Sequence, residues 1–270
     1  MPSNYSDSAF VRQQFQTTIN LAARIDLHAR FSQNKYGWFP WVFDQFNLHS
    51  KSQILELGCG SGDLWWENRD RISSGWQLTL TDLFLDMVEK TKEQFLKIPQ
   101  PLSREYLAVD AQAIPFETAS FDAVIALHVL LFVPDREAAF KEIKRVLKPK
   151  GRFFASLLGQ KNLQELWELI DKFDAQIECW LKGRRTMIHT LETEAEELSK
   201  WFSDVKLHRY EDALLVTDAE PLIGYVRSMA DKAVFKSERF AEFSEFVREE
   251  LAAQGAIRIT KDYGVLEAFR

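Results

Sequence analysis

The sequence predicts a doubly wound α/β domain on a mostly parallel sheet, and three observations lead there. Five short apolar segments, ending near residues 57, 81, 109, 127 and 157, alternate with stretches of helical periodicity. Several of these segments are apolar at successive positions, as strands covered on both faces are. A glycine-rich loop follows the first of them, where such sheets bind their ligands.

The elements follow in order. Residues 9–31 carry Phe15, Ile19, Ala22, Ala23 and Ile25 at three- and four-residue steps and read as a helix. Residues 34–41 are a dense aromatic cluster around Gly37 and Pro40, either a corner packed on the core or a lid edge over a ligand. Strands are expected at 54–57, 77–81, 106–109, 123–127 and 152–157. Helices are expected at 83–96, through Leu85, Val88 and Phe95, and at 136–147, through Ala139, Phe140, Ile143, Val146 and Leu147. The second helix should stop at the turn Lys148-Pro149-Lys150-Gly151. Beyond 158, Leu163, Leu166, Trp167, Ile170 and Phe173 mark an amphipathic helix and 194–202 another. Residues 205–210 alternate as a strand, and 220–252 are helical with Phe240, Phe243, Phe246, Val247 and Leu251 on the apolar side. Residues 256–269 read as a closing strand interrupted by a turn at Asp262-Tyr263-Gly264. The expected division is an N-terminal helical cap over 1–45 and a core over 46–270, with helical insertions at about 160–200 and 218–252.

Composition sets outer bounds. The chain has 270 residues, 46% apolar and 27% charged, enough to bury a core without disulfides or metals. Its 34 Lys and Arg against 40 Asp and Glu leave a net charge of −6, which argues against electrostatic capture of nucleic acid or of an anionic membrane. Two cysteines, Cys59 and Cys179, are too few for a disulfide framework or a zinc cage, and no metal site is expected. The longest apolar run, 124–133, is too short to span a bilayer. Residues 1–7 lack the basic-then-apolar pattern of a secretory signal, so a cytoplasmic location is the expectation.

The informative segment is Glu56-Leu57-Gly58-Cys59-Gly60-Ser61-Gly62-Asp63. Glycines at alternate positions let the backbone turn sharply and let a ligand approach closely. Dinucleotide-binding loops use G-x-G-x-x-G around a pyrophosphate; here the third glycine comes one residue early. Glu56, just before the loop, suits a ligand with an ammonium group, and S-adenosylmethionine has one and carries no phosphate. Asp82 ends the second strand, where two carboxylate oxygens would accept from the 2′ and 3′ hydroxyls of a ribose. Asp110 ends the third, followed by Ala111; a carboxylate accepting from adenine N6 and an N–H donating to N1 would read the adenine edge. A single Asp at a strand end is as often a helix cap. Three acids and the loop, at successive strand ends, point to one adenosyl ligand.

Taken together, Ile54–Gly62, Leu80-Thr81-Asp82, Ala108–Ala111, Ser120–Ile125, His128 with Val133-Pro134-Asp135, and Arg145–Gly151 resemble the class I S-adenosylmethionine-dependent methyltransferases of the small-molecule type. The resemblance is dense over residues 50–158. It implies a Rossmann-like, seven-stranded sheet whose last strand is antiparallel, with 205–216 and 257–269 as the final two strands. By similarity Glu56, Gly58, Cys59 and Gly60 would line the methionine end, Asp82 and Leu83 the ribose, and Asp110 and Ala111 the adenine, with Leu127 also on the cofactor.

Methyl transfer from a sulfonium is an in-line displacement that needs alignment and desolvation more than proton transfer. The candidate general base is His128, just past the fourth strand; the plainer role is lining the cofactor. Small-molecule relatives often carry an aromatic hydroxyl and a second histidine before Val-Pro-Asp, where this chain has Leu131 and Phe132, which indicates a more apolar pocket. Tyr36, Trp38, Phe39 and Trp41 would form one wall and the helices near 163–190 and 220–250 a roof. Arg184 and Arg185 would meet an anionic acceptor or form a solvated corner. The reading is a methyltransferase acting on a small-molecule acceptor, with neither nucleic acid nor membrane as partner. The alternative is a non-catalytic S-adenosylmethionine-binding regulatory module, motivated by Leu131 and Phe132. A nicotinamide oxidoreductase is a third reading, opposed by the glycine spacing.

Overall fold

The computed structural model describes residues 18–98, 103–174, 189–229 and 237–270. Its helices of four or more residues are α1 (Thr18–Phe31), α2 (Trp38–Asp44), α3 (Asp63–Glu67), α4 (Leu85–Phe95), α5 (Arg136–Val146), α6 (Gln164–Phe173), α7 (Leu191–Leu198), α8 (Ala219–Met229) and α9 (Ser237–Gln254). Its strands are β1 (Gln53–Leu57), β2 (Gln77–Asp82), β3 (Ser103–Ala108), β4 (Phe121–Leu127), β5 (Leu147–Leu158), β6 (Ser203–Val216) and β7 (Ile257–Phe269). They form one sheet in the order β3-β2-β1-β4-β5-β7-β6. The pairs β1–β2, β2–β3, β1–β4 and β4–β5 are parallel and β7 runs antiparallel to β5. The chain reverses its direction of travel across the sheet between β1 and β4, the switch point at which open α/β sheets bind ligands.

Two compact units divide the chain: 36–158 with 189–210 and 263–270, and 1–35 with 159–188 and 211–262. In the first, the period-two pleat of the central strands sorts side chains into two cores. Leu55, Leu57, Val124, Ala126, Phe153 and Ala155 join Phe140, Ile143 and Val146 of α5 on one face. Ile54, Leu78, Leu80, Ile125 and Phe154 join Phe43 of α2, Trp65 of α3 and Phe95 of α4 on the other. The amphipathic helices bury the faces their periodicity marks, and Asp135 caps α5 by accepting the Ala138 N–H at 3.0 Å. The second unit has a core of its own, in which Leu27 and Phe31 of α1, Leu166 and Ile170 of α6, Leu222 and Val226 of α8, and Phe243 and Val247 of α9 meet. Among the described residues no helix is long and apolar enough to cross a membrane.

Three of the boundaries that differ from expectation have a local reason. β7 is unbroken through Asp262-Tyr263-Gly264, with Tyr263 opposite Leu158 and Gly264 opposite Leu157. Gly264 is there for close approach and not for a turn, since a Cβ would lie 2.6 Å from the His208 carbonyl. The turn at 148–151 lies inside β5 as an irregularity: the pairing steps from Phe121–Leu147 to Ala123–Arg152, with Lys150 at φ +66°. Helix α7 spans Leu191–Leu198 rather than the expected 194–202, and it starts early because Thr190 and Thr193 form a reciprocal capping box.

Candidate active site

The strand ends set the site. In the parallel pairing Leu57 lies opposite Thr81, Asp82 opposite Ala108, and Leu127 opposite Ser156, so the carboxyl ends of β1 to β4 form one edge. That edge brings together Glu56, the glycine loop, Asp82 and Leu127, with Asp110 and Ala111 just beyond β3. Leu83 projects half-exposed and Ala111 is buried.

The loop is shaped by its glycines and by groups beneath it. Gly58 (φ +74°) passes so close to Val129 that a Cβ would stand 2.3 Å from its Cγ2, whereas Gly60 (φ +56°) has nothing within 4 Å of where a Cβ would be. One glycine is needed for packing and the other leaves its face open to a ligand. The Cys59 N–H donates to the Thr81 carbonyl at 2.8 Å. Thr91 Oγ1 donates to the Gly60 carbonyl at 2.9 Å and lies 3.4 Å from Cys59 Sγ. Burial pushes the Cys59 thiol well above its ordinary range, so it remains a thiol and no nucleophile.

The acids differ in their surroundings. Glu56 is 2% exposed and accepts the Trp65 indole N–H at 2.6 Å. Burial raises its pKa to about 8, against that hydrogen bond and with help from Asp82 and Asp63. Asp82, also buried, accepts the Gly60 N–H on one oxygen (3.1 Å) and the Phe84 N–H on the other (3.0 Å). Its pKa is raised by burial and held back by those N–H groups. Asp110 is exposed, and its two oxygens accept from Gln112, whose own amide oxygen accepts the Asp135 N–H at 2.9 Å.

Past β4, His128 stands in the left-handed region (φ +57°), its N–H held by the carbonyl (3.2 Å) and hydroxyl (3.0 Å) of buried Ser156. Burial lowers its pKa to about 4. Its half-buried ring belongs to a cluster with Trp38, Trp41, Tyr210 and Tyr263. Trp38 stacks on Trp41 at 5.5 Å and lies 5.6 Å from His128, 5.4 Å from Tyr210 and 5.7 Å from Tyr263. Of the aromatic wall expected from sequence, Trp38 and Trp41 are in this cluster, whereas Tyr36 is exposed and donates to Asp44 at 2.8 Å. Leu131 and Phe132 lie in a short 3₁₀ turn, Leu130–Phe132. Cys179, Arg184 and Arg185 lie outside the described residues. The supporting groups Trp65, Thr91, Gln112, Ser156, Tyr210 and Tyr263 were not singled out as site residues by sequence reasoning. Tyr210 and Tyr263 alone had a signal, as aromatic residues in the last two strands.

The donor set suits an adenosyl sulfonium better than a pyrophosphate. Residues 56–64 contain no Lys or Arg, so phosphates at this loop would meet the acids Glu56 and Asp82 and no countercharge within the loop. Residues 55–155 match the methyltransferase domain family. The sterol 4-C-methyltransferase of Caenorhabditis elegans is 30% identical over 121 residues, 45% of this chain and 35% of that protein. A ubiquinone/menaquinone biosynthesis C-methyltransferase of Hahella chejuensis is 28% identical over 115 residues, 43% of this chain and 46% of that one. The chain thus spans about a third to a half of the length of these relatives. In fold, it is similar to phosphoethanolamine N-methyltransferase 2 of Haemonchus contortus, solved in complex with S-adenosyl-L-methionine: TM-score 0.58, 19% identity, 98% of this chain and 60% of that one covered. Over residues 55–155 the chain is thus similar to the methyltransferase domain family, and its fold is that of the solved methyltransferase.

Proposed function

We propose that the protein transfers a methyl group from S-adenosylmethionine to a small, flat or largely apolar acceptor. The observation that carries the reading is the open-faced turn at Gly60 set beside two buried carboxylates, Glu56 and Asp82. When bound, the cofactor supplies a methyl group on a cationic sulfur. Glu56 would ionise against its ammonium, with Gly58, Cys59 and Gly60 along the same end. Asp82 retains lone pairs beyond those that hold Gly60 and Phe84, and with these it would accept ribose hydroxyls. Asp110, Ala111, Leu83 and Leu127 would complete the adenosyl contacts. His128 is neutral above pH 4, and an imidazole of such low basicity is a poor proton acceptor. The chain's part in the reaction is then to align the reactants and exclude water, which in favourable systems supplies about 7–11 kcal/mol of a barrier.

Similar proteins named for sterol methylation and for ubiquinone/menaquinone biosynthesis support a small-molecule acceptor. The net charge of −6 supports the absence of a nucleic-acid partner. Two cysteines in 270 residues suit a reducing compartment, the cytoplasm. Isothermal titration with S-adenosylmethionine and S-adenosylhomocysteine tests the cofactor site; micromolar binding of both is expected, and binding of neither to folded protein refutes the proposal. Transfer of labelled methyl from the cofactor into low-mass material of a cell extract tests the reaction, and no transfer would favour a cofactor-sensing module.

A further inference from the structure

We infer that the methyl acceptor lies on the half-open box of Trp38, Trp41, His128, Tyr210 and Tyr263, and that the Trp38 indole N–H selects a flat, uncharged acceptor with an oxygen at its edge. This rests on the methyl-transfer reading above. Three other indoles in the structure donate to a protein oxygen: Trp65 to Glu56 (2.6 Å), Trp76 to the His49 carbonyl (2.7 Å) and Trp167 to the Asn162 carbonyl (3.2 Å). The Trp38 N–H is shielded from solvent and has no hydrogen-bond partner among the described residues. A buried donor left unpaired costs free energy that a ligand oxygen recovers. Tyr210 is buried, while Trp38, Trp41, His128 and Tyr263 keep part of their surface exposed, so the box has an open side.

Place and chemistry agree. His128 directly follows β4, at the same sheet edge as Glu56 and Asp82, and its strained left-handed backbone is pinned by Ser156, the kind of held strain found at functional positions. The rings touch one another, Trp38 stacked on Trp41 and edge-on to Tyr210 and Tyr263, and the aromatic surface they make together favours a planar molecule laid against it. No member of the box carries a full charge at neutral pH, so an anion finds no countercharge there. A cation would find ring faces, but also the positive edge of the Trp38 indole.

The test uses the whole protein saturated with S-adenosylhomocysteine and three probes: chromone, naphthalene and tetramethylammonium. Indole N–H signals are followed by nuclear magnetic resonance in ¹⁵N-tryptophan-labelled protein, with Trp38 assigned through Trp38→Phe. Chromone should bind roughly fivefold more tightly than naphthalene, as one recovered hydrogen bond allows, and should move the Trp38 signal downfield. Trp38→Phe should remove that preference and leave S-adenosylhomocysteine affinity unchanged. Equal binding of chromone and naphthalene, no chromone binding up to its solubility limit, a preference for tetramethylammonium, or a preference that survives in Trp38→Phe overturns the inference. Should Trp38→Phe not fold, the wild-type affinity ratio and the movement of a single indole signal decide. Failure of S-adenosylhomocysteine to bind the wild type refutes the methyl-transfer reading instead.

Discussion

Replacing Glu56 by Gln should stabilise the protein, by an amount that grows with pH. Glu56 is 2% exposed, and its pKa rises from an ordinary 4.5 to about 8. An acid whose pKa is higher in the folded state contributes nothing unfavourable below pH 4.5, where both states are protonated. Between 4.5 and 8 the unfolded chain releases the proton and the folded chain keeps it, so stability falls as pH rises and levels off above 8. A tenfold change in proton affinity is worth about 1.4 kcal/mol, so the loss is about 3 kcal/mol at pH 7 and about 5 kcal/mol above pH 8. Gln keeps an oxygen to accept the Trp65 N–H and carries no charge to desolvate or to oppose Asp82 and Asp63. Urea unfolding of wild type and Glu56→Gln at pH 5, 7 and 8.5 measures the difference directly. The two unfolding curves should nearly coincide at pH 5 and separate progressively; a separation independent of pH, or a less stable variant at pH 8.5, would refute the burial argument.

Four further outcomes follow from the same geometry. S-adenosylhomocysteine should bind wild type more tightly as pH rises from 6 to 8, with proton release detectable by titration in buffers of different ionisation enthalpy, because in the proposed site its ammonium would pair with ionised Glu56; Glu56→Gln should lose this dependence. Asp82→Ala should weaken cofactor affinity by about 2–4 kcal/mol through unpaired ribose hydroxyls and loss of the Gly60 anchor, read by isothermal titration, whereas His128→Ala should stay within roughly tenfold of wild type. Gly58→Ala should destabilise the fold by about 2–3 kcal/mol from the Val129 contact and the positive φ, measured by urea unfolding, while Gly60→Ala should affect cofactor affinity more than stability. Arg136→Met should cost about 3–5 kcal/mol by stranding fully buried Glu194, to which Arg136 donates, and a second change, Glu194→Leu, should restore most of it.

The parts legible in the sequence are those where one side-chain pattern answers to one local rule. Apolar runs marked β1, β4 and β5 because each is covered on both faces, the alternation Leu78-Thr79-Leu80-Thr81 marked β2, and period 3.6 marked α4 and α5. β6 extends beyond the alternation at 205–210 because its later residues, Leu214 and Val216, enter the core of the other unit, a context no local window contains. Gly264 looked like a turn because a glycine soon after an Asp ordinarily marks one; its neighbour in space is the His208 carbonyl, 56 positions earlier in the sequence. The strand-end acids were legible as positions. Their individual chemistry was not, because the partners that decide it lie 9 residues away for Glu56 with Trp65 and 22 for Asp82 with Gly60.

Those partners also explain why the two central acids are not equivalent. Asp82 receives N–H groups from the loop it shapes, so its charge is compensated by fixed dipoles even without a ligand, and its removal disturbs loop and ligand together. Glu56 receives a single indole N–H in a dry setting and stays protonated at neutral pH. An arriving ammonium would therefore complete a charge pair at Glu56 that the protein alone leaves unmade, while at Asp82 it is the neutral hydroxyls of a ribose that fit the lone pairs left over. A ligand uniting one cation and a vicinal diol within a few ångströms satisfies both acids at once, whereas a pyrophosphate satisfies neither.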